Sequence, residues 1–286
     1  MRDKRQADNQ NHYKPMLPRS IFSVAGFTLL AVAQLNAADI LMAHKNATVG
    51  VNTNGTVASW TIDGVNQLAG QSFFYRVGNA GGESLISGIS GTPSVSFTQI
   101  PNVISSLDIT YANAAYSVRT LFHLTGSTAG SGKANFNQTL TIQNLSGAPL
   151  DFHFFQYSNF DLGGVALGQT ATVNFDTLLQ PYKIVQTDGV RTVAETVNVN
   201  TATVGHYQTS FAPSALASLT DGNPTTLSDV VATGPGDVEF AYQWDVVLAP
   251  NEALTISKLL GVVPEPTTAA LLLLGLGVGI AARRKN

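Results

Sequence analysis

The sequence predicts an all-β protein, an antiparallel β-sandwich with a barrel-like closure as the alternative. Three observations carry this. Apolar and polar residues alternate with a period of two almost throughout the body, and helical periodicity is nearly absent. Turn signals such as Asn54-Gly55, Asp63-Gly64, Asp188-Gly189 and Pro250-Asn251 separate the alternating runs. Charged residues make up only 12% of the chain, while Thr, Ser, Asn, Gly and Val abound, which favours strands and turns over surface helices.

The chain opens on a polar stretch, residues 1–15, with Met16 as an alternative start. Arg19 then precedes an uncharged, mostly apolar run from Ile21 to Ala33, and small residues follow at Ala37 and Ala38. This is the layout of a secretory signal helix, with cleavage expected after Ala37. Leu35 is not an ideal residue three positions before that bond.

Strands are expected next at Ala47–Asn52, Thr56–Ile62, Ser72–Val77, Val95–Gln99, Ile104–Tyr111 and Tyr116–Leu124. Ala134–Ile142 alternates most cleanly, with Ala134, Phe136, Leu140 and Ile142 on one face. Leu150–Leu162 is the richest run. Later strands are expected at Ala171–Phe175, Lys183–Thr187, Arg191–Val197, His206–Phe211, Val238–Leu248 and Leu254–Leu260, with one short helix near Ser214–Leu219. No internal repeat and no linker interrupts residues 38–262, so they are read as one domain.

The last stretch starts with Val263-Pro264-Glu265-Pro266-Thr267. Two prolines fix two φ angles and remove two backbone donors, so the segment is expected to be extended, stiff and exposed. Residues 267–282 are 16 uncharged, mostly apolar residues ending at Arg283-Arg284-Lys285. As a helix they would span roughly 24 Å, short of the ~30 Å hydrocarbon core of a bilayer. That makes a marginal membrane helix, with the basic end held on the cytoplasmic side.

These parts, in this order, resemble the PEP-CTERM sorting signal. The resemblance covers residues 263–286 and implies processing by an exosortase, an integral-membrane cysteine protease. It assigns the sorting signal to Val263, Pro264, Glu265, Pro266, Thr267, Arg283, Arg284 and Lys285. Export then involves the Sec translocon and signal peptidase, and the precursor is held in the membrane before reaching the cell surface or the extracellular space. The body, through Ser72–Gly78, Phe152–Ser158 and Gln243–Val246, resembles a recurring class of exported bacterial proteins with the same tail. That second resemblance brings no activity.

Composition narrows the chemistry. Residues 38–264 hold seven Lys and Arg against fifteen Asp and Glu, which argues against nucleic acid or an anionic membrane surface as partner. The chain has no cysteine. No disulfide staples it, so core size and sheet closure must stabilise it, and thiolate chemistry is excluded within the chain.

The candidate sites are few. Along 150–162 the odd positions include Asp151, His153, Tyr157 and Asn159, which share one face of a regular strand. Carboxylate, imidazole, amide and phenol suit a sugar ring, with Trp60 or Trp244 as stacking partners and exopolysaccharide as the candidate ligand. Gly126–Lys133 brushes the P-loop pattern, but Ser127 and Ala134 break it. Asp221, Asn223 and Asp229 lack the further acidic ligands a calcium loop needs. No metal and no cofactor is expected. The reading is an exported surface or matrix protein of structural or adhesive type, without catalysis. The alternatives are a carbohydrate-binding module, and a secreted hydrolase if Asp151, Glu239 and Asp245 gather in one cleft.

Overall fold

The computed structural model describes residues 39–90, 92–100 and 103–265. Its strands are β1 Asp39–His44, β2 Ala47–Asn52, β3 Thr56–Ile62, β4 Val65–Asn66, β5 Gly70–Val77 and β6 Ser84–Leu85. Then come β7 Ser94–Ile100, β8 Val103–Ala112, β9 Tyr116–Gly126, β10 Ala134–Asn144, β11 Leu150–Asn159 and β12 Gln169–Phe175. The remainder are β13 Pro181–Thr187, β14 Arg191–Val197, β15 His206–Phe211, β16 Ala232–Gly236, β17 Val238–Leu248 and β18 Ala253–Pro264, with the helix α1 at Ser214–Thr220. The described residues are therefore all-β, with the expected short helix in its expected place. The expected signal helix and the apolar run 267–282 lie outside the described residues. Among those described, no helix is long and apolar enough to cross a membrane.

Hydrogen bonds connect the strands into one ladder. From β15 it runs through β17, β11, β5, β3 and β2 to β1. A single parallel bridge, Met42↔Ile104, carries it to β8. From there it continues through β9, β10, β18, β14, β13 and β12 to β16. All pairings but that bridge are antiparallel. The two ends approach each other: Thr209 of β15 donates its N–H to Val230 O (3.0 Å), and its hydroxyl lies 3.0 Å from that of Thr233 on β16. The sheet is thus nearly closed and barrel-like, the alternative named from the sequence. Closure leaves few free edges.

Period-two alternation decides what faces inward. On β10 these are Ala134, Phe136, Gln138, Leu140 and Ile142, all buried. The interior is filled by aromatic rings in contact, among them Phe73 on Phe154 (centroids 6.3 Å), Phe122 on Phe136 (5.5 Å) and Trp244 against Phe154 (5.9 Å). Trp60 and Trp244 belong to this interior and are buried, so neither ring is presented to a ligand. A second, smaller cluster lies outside the barrel, where α1 lays Ala215 and Leu219 over Phe74, Phe155 and Tyr157. Burying Leu219 there contributes roughly 2 kcal/mol.

Candidate functional site

A polar network crosses the barrel interior. The Lys258 ammonium on β18 donates to Glu195 Oε1 on β14 at 3.3 Å, and both side chains are fully buried. Gln156 Nε2 also donates to Glu195 Oε1, and the Ser158 hydroxyl donates to Oε2 at 3.3 Å. Gln71 Nε2 donates to Ser158 Oγ (3.1 Å), and Gln138 Nε2 to Gln71 Oε1 (2.5 Å). The Lys258 ammonium also sits 5.1 Å from the centroid of the Phe73 ring, a cation–π contact.

Burial pushes Lys258 down to about 8 from 10.5, with Glu195 opposing the shift. Between those values the unfolded chain holds a proton that the folded chain releases. Stability therefore rises with pH through that window, by up to roughly 3 kcal/mol. Burial raises the Tyr111 and Tyr242 phenols, so above about pH 10 the unfolded chain loses protons that the folded one keeps, and stability falls again. Urea unfolding at steps from pH 7 to 11 should show the midpoint climbing above pH 8 and turning over near pH 10. A flat or descending limb between 8 and 10 would contradict the assignment.

The same strands build a cleft on their outer side. Because the side-chain period is two, the residues beside Gln138, Glu195 and Lys258 point outward. Asn137 and Thr139 of β10, Ser257 and Leu259 of β18 and Thr196 of β14 line a cleft of about 510 Å³. Tyr182 of β13, Asp176 before it, and residues 197–199 also line it. Asp176 Oδ1 accepts backbone N–H bonds from Leu178 (2.8 Å) and Gln180 (2.9 Å), which orients this carboxylate. Lys183 stands over the Tyr182 ring at 5.4 Å. The lining thus combines hydroxyls, amides, one carboxylate and one aromatic ring with the aliphatic residues Val197, Val199 and Leu259, over a floor held from beneath by the Glu195–Lys258 pair.

The face of β11 read from the sequence is arranged otherwise. Asp151, His153, Tyr157 and Asn159 do point to one side of the strand. His153 Nδ1 lies 2.5 Å from Asp245 Oδ1, and its Nε2 lies 3.5 Å from Asp151 Oδ1. Gln243 Nε2 donates to Asp245 (2.9 Å), Leu227 N–H to Gln243 Oε1 (2.9 Å), and Asn79 Nδ2 to Asp151 Oδ2 (3.2 Å). The imidazole is boxed in by these groups and buried. Tyr157 lies beneath α1 and is buried too. Asn159 pairs across the ladder with Glu239, six residues along β17 from Asp245, or about 20 Å. Asp151 and Asp245 therefore meet around His153, while Glu239 stands apart and accepts from Ser210 Oγ (3.0 Å) and from the Ala215 N–H. Among the described residues, no group of three or more His, Asp or Glu is placed to hold a metal ion.

The sorting segment is joined to the body without a spacer. Val263 and Pro264 are the last residues of β18 and pair with Thr192 and Arg191 of β14. The Glu265 N–H donates to Val190 O at 2.8 Å, and its carboxylate accepts from the Thr192 hydroxyl. Val263 and Pro264 are extended, as expected, but together with Glu265 they are held by the sheet instead of standing free. Pro266, Thr267, Arg283, Arg284 and Lys285 lie outside the described residues.

No curated protein matches the chain. Solved structures resemble it in fold. A bacterial glucoamylase complexed with acarbose has a TM-score of 0.56 and 7% identity over 84% of this chain and 36% of that one. The Slr1438 protein of Synechocystis sp. PCC 6803 has a TM-score of 0.52 and 10% identity over 80% and 96%. A putative aldose 1-epimerase from Escherichia coli K12 has a TM-score of 0.49 and 12% identity over 79% and 98%. The chain spans about a third of the length of the glucoamylase. At these identities the likeness to the glucoamylase and to Slr1438 is one of fold alone. Residues 262–285 match the PEP-CTERM protein-sorting motif, so the chain carries the sorting signal of an exosortase substrate.

Proposed function

We propose that this chain is an exported surface or matrix protein of structural or adhesive type, whose β domain holds polysaccharide in the cleft over β10, β18 and β14. Residues 1–37 act as the signal peptide and 38–262 as one domain, flattened into two facing layers. Residues 263–286 anchor the precursor until exosortase cuts it. One observation carries the binding part: hydroxyls, amides, a tyrosine ring and three aliphatic residues line an open trough that has one carboxylate. Sugar rings are bound by such groups, whereas hydrolysis uses a pair of carboxylates. The fold likeness to a glucoamylase complexed with acarbose accords with a carbohydrate ligand, at the level of fold. The β11 face is the alternative location, entered at its open edge near Asp151.

The test is retention of the cell's own exopolysaccharide, and of a glycan array, by the purified domain. Tyr182→Ala and Asn137→Ala should each weaken retention about tenfold, the scale of losing a stacked ring or a paired amide. His153→Ala and Tyr157→Ala should not weaken it once the folded fraction is matched. Retention lost only in the last two variants would move the site to β11. Release of reducing ends during incubation would replace binding with hydrolysis.

A further inference from the structure

The end of the barrel at which the chain leaves the sheet has a surface suited to lipid. We infer that this end is a docking rim, seated on the bilayer while residues 267–282 occupy the membrane; this rests on the anchoring reading above. Distance forces the contact. Glu265 is fixed to Val190 by its backbone hydrogen bond, and the apolar run begins at Thr267, two residues on. Two residues reach at most about 7 Å, no more than the headgroup layer on one side of a bilayer, roughly 5–8 Å. A domain tethered so closely meets the headgroups.

What it would meet them with is apolar. Four loops converge there. Asp63, after β3, accepts N–H bonds from Gly130 (2.7 Å) and Gly132 (2.8 Å) of the β9–β10 loop. A Cβ built on Gly132 would stand 2.8 Å from Pro264 Cγ, and one built on Gly163 would stand 2.3 Å from Arg191 Nη1. One on Gly164 would lie 3.9 Å from Val65 Cγ1. The pairing Thr170↔Thr187 brings the start of β12, and the loop leading into it, beside the β13–β14 turn. On these loops and the last strand residues, five aliphatic side chains are open: Val65 39%, Val165 57%, Leu167 72%, Val190 57% and Val263 45% exposed. Five open aliphatic side chains on one rim give that rim an apolar surface that lipid can cover.

Three carboxylates of this end have partners. Asp63 is capped by the two glycine N–H groups, Asp188 Oδ1 accepts from Val190 N–H (2.7 Å) and Arg191 N–H (2.5 Å), and Glu265 accepts from Thr192. Lys133, exposed on the β9–β10 loop, suits a headgroup phosphate. The body as a whole is acidic, so the attraction is local and apolar. The opposite end supplies a control. Leu178 and Leu179 are 77% and 79% exposed on the β12–β13 turn, a full strand length away, roughly 23 Å.

The absence of cysteine makes the test direct, since any introduced thiol is the sole labelling site. The full chain, carrying Leu167→Cys, Val190→Cys, Leu178→Cys or Leu273→Cys with an environment-sensitive fluorophore, is reconstituted in phosphatidylcholine–phosphatidylglycerol vesicles with shallow spin-labelled lipid. Labels at 167 and 190 should be quenched at least twofold more than the label at 178, and the label at 273 should emit as from hydrocarbon. Adding Val165→Glu and Leu167→Glu to the Val190→Cys chain should return the label at 190 to water-like emission. Label 273 in hydrocarbon with 167 and 190 in water would overturn the rim alone, as would indifference of label 190 to the two glutamates. Label 273 in water would overturn the anchoring reading, and the rim with it.

Discussion

Lys258→Met should destabilise the folded chain by about 3–5 kcal/mol, the cost of leaving a buried charge without its partner. For a domain of this size that lowers the melting temperature by roughly 10 °C. Glu195 is the reason. Its carboxylate is fully buried beside Lys258, and its neutral partners Gln156 and Ser158 cannot balance its charge. The double variant Glu195→Gln with Lys258→Met removes both charges while keeping volume and the Gln156 contact. It should recover most of the loss, because a buried pair replaced by neutral groups of similar size is often neutral or stabilising. Urea midpoints for the wild type, both single variants and the double give the coupling. Additive losses, or a Lys258→Met chain within about 1 kcal/mol of wild type, would mean that solvent reaches the pair and the floor of the cleft is not pinned from beneath.

Much of the architecture was legible because strand periodicity is a local property. Asn54-Gly55 and Asp188-Gly189 both turn hairpins, and Ser214–Thr220 is the one α-helix among the described residues. The strands β1 and β16 escaped for opposite reasons. Asp39–His44 lacks alternation and follows directly on the expected signal cleavage, and Ala232–Gly236 reads as a turn because it contains two glycines and a proline. The interior network did leave a trace. Gln138 falls in the apolar phase of β10, Glu195 between Val193 and Val197, and Lys258 between Ile256 and Leu260. Each is a polar residue at a core position, and three such interruptions on three strands are a signal that they meet. Which ones meet depends on register across β10, β18 and β14, a long-range property that alternation does not encode. The face of β11 is the converse. That its odd positions share a side follows from the pleat, but Tyr157 is buried by α1 and His153 by groups around Asp245, both contributed by distant parts of the chain.

Glu265→Ala in the precursor should abolish processing, with the cut form reduced at least tenfold and the uncut chain retained in membranes. The matching motif places Glu265 between the two prolines of the sorting signal, and the sheet fixes where its backbone lies. Val263 and Pro264 are paired to β14, and the Glu265 N–H is bonded to Val190. A protease lays substrate backbone in its cleft as an extended strip, so residues already committed to a ladder are closed to it. The ladder and the Glu265–Val190 bond thus close the backbone up to Glu265. Mass spectrometry of the exported wild-type protein should therefore find a mature C-terminus at or after Glu265, and never within 253–263. Thr192→Val removes the hydroxyl that holds the Glu265 carboxylate without touching the signal's own residues. It should leave the mature end unchanged, and speed the appearance of the cut form if unpairing limits the reaction. A mature end inside β18 would show that the protease strips the strand before cutting, and would refute the protection of residues 253–263 by the ladder. Efficient cutting of Glu265→Ala would show that recognition resides in the prolines and the apolar run, with the glutamate serving only to lock the last strand to β14.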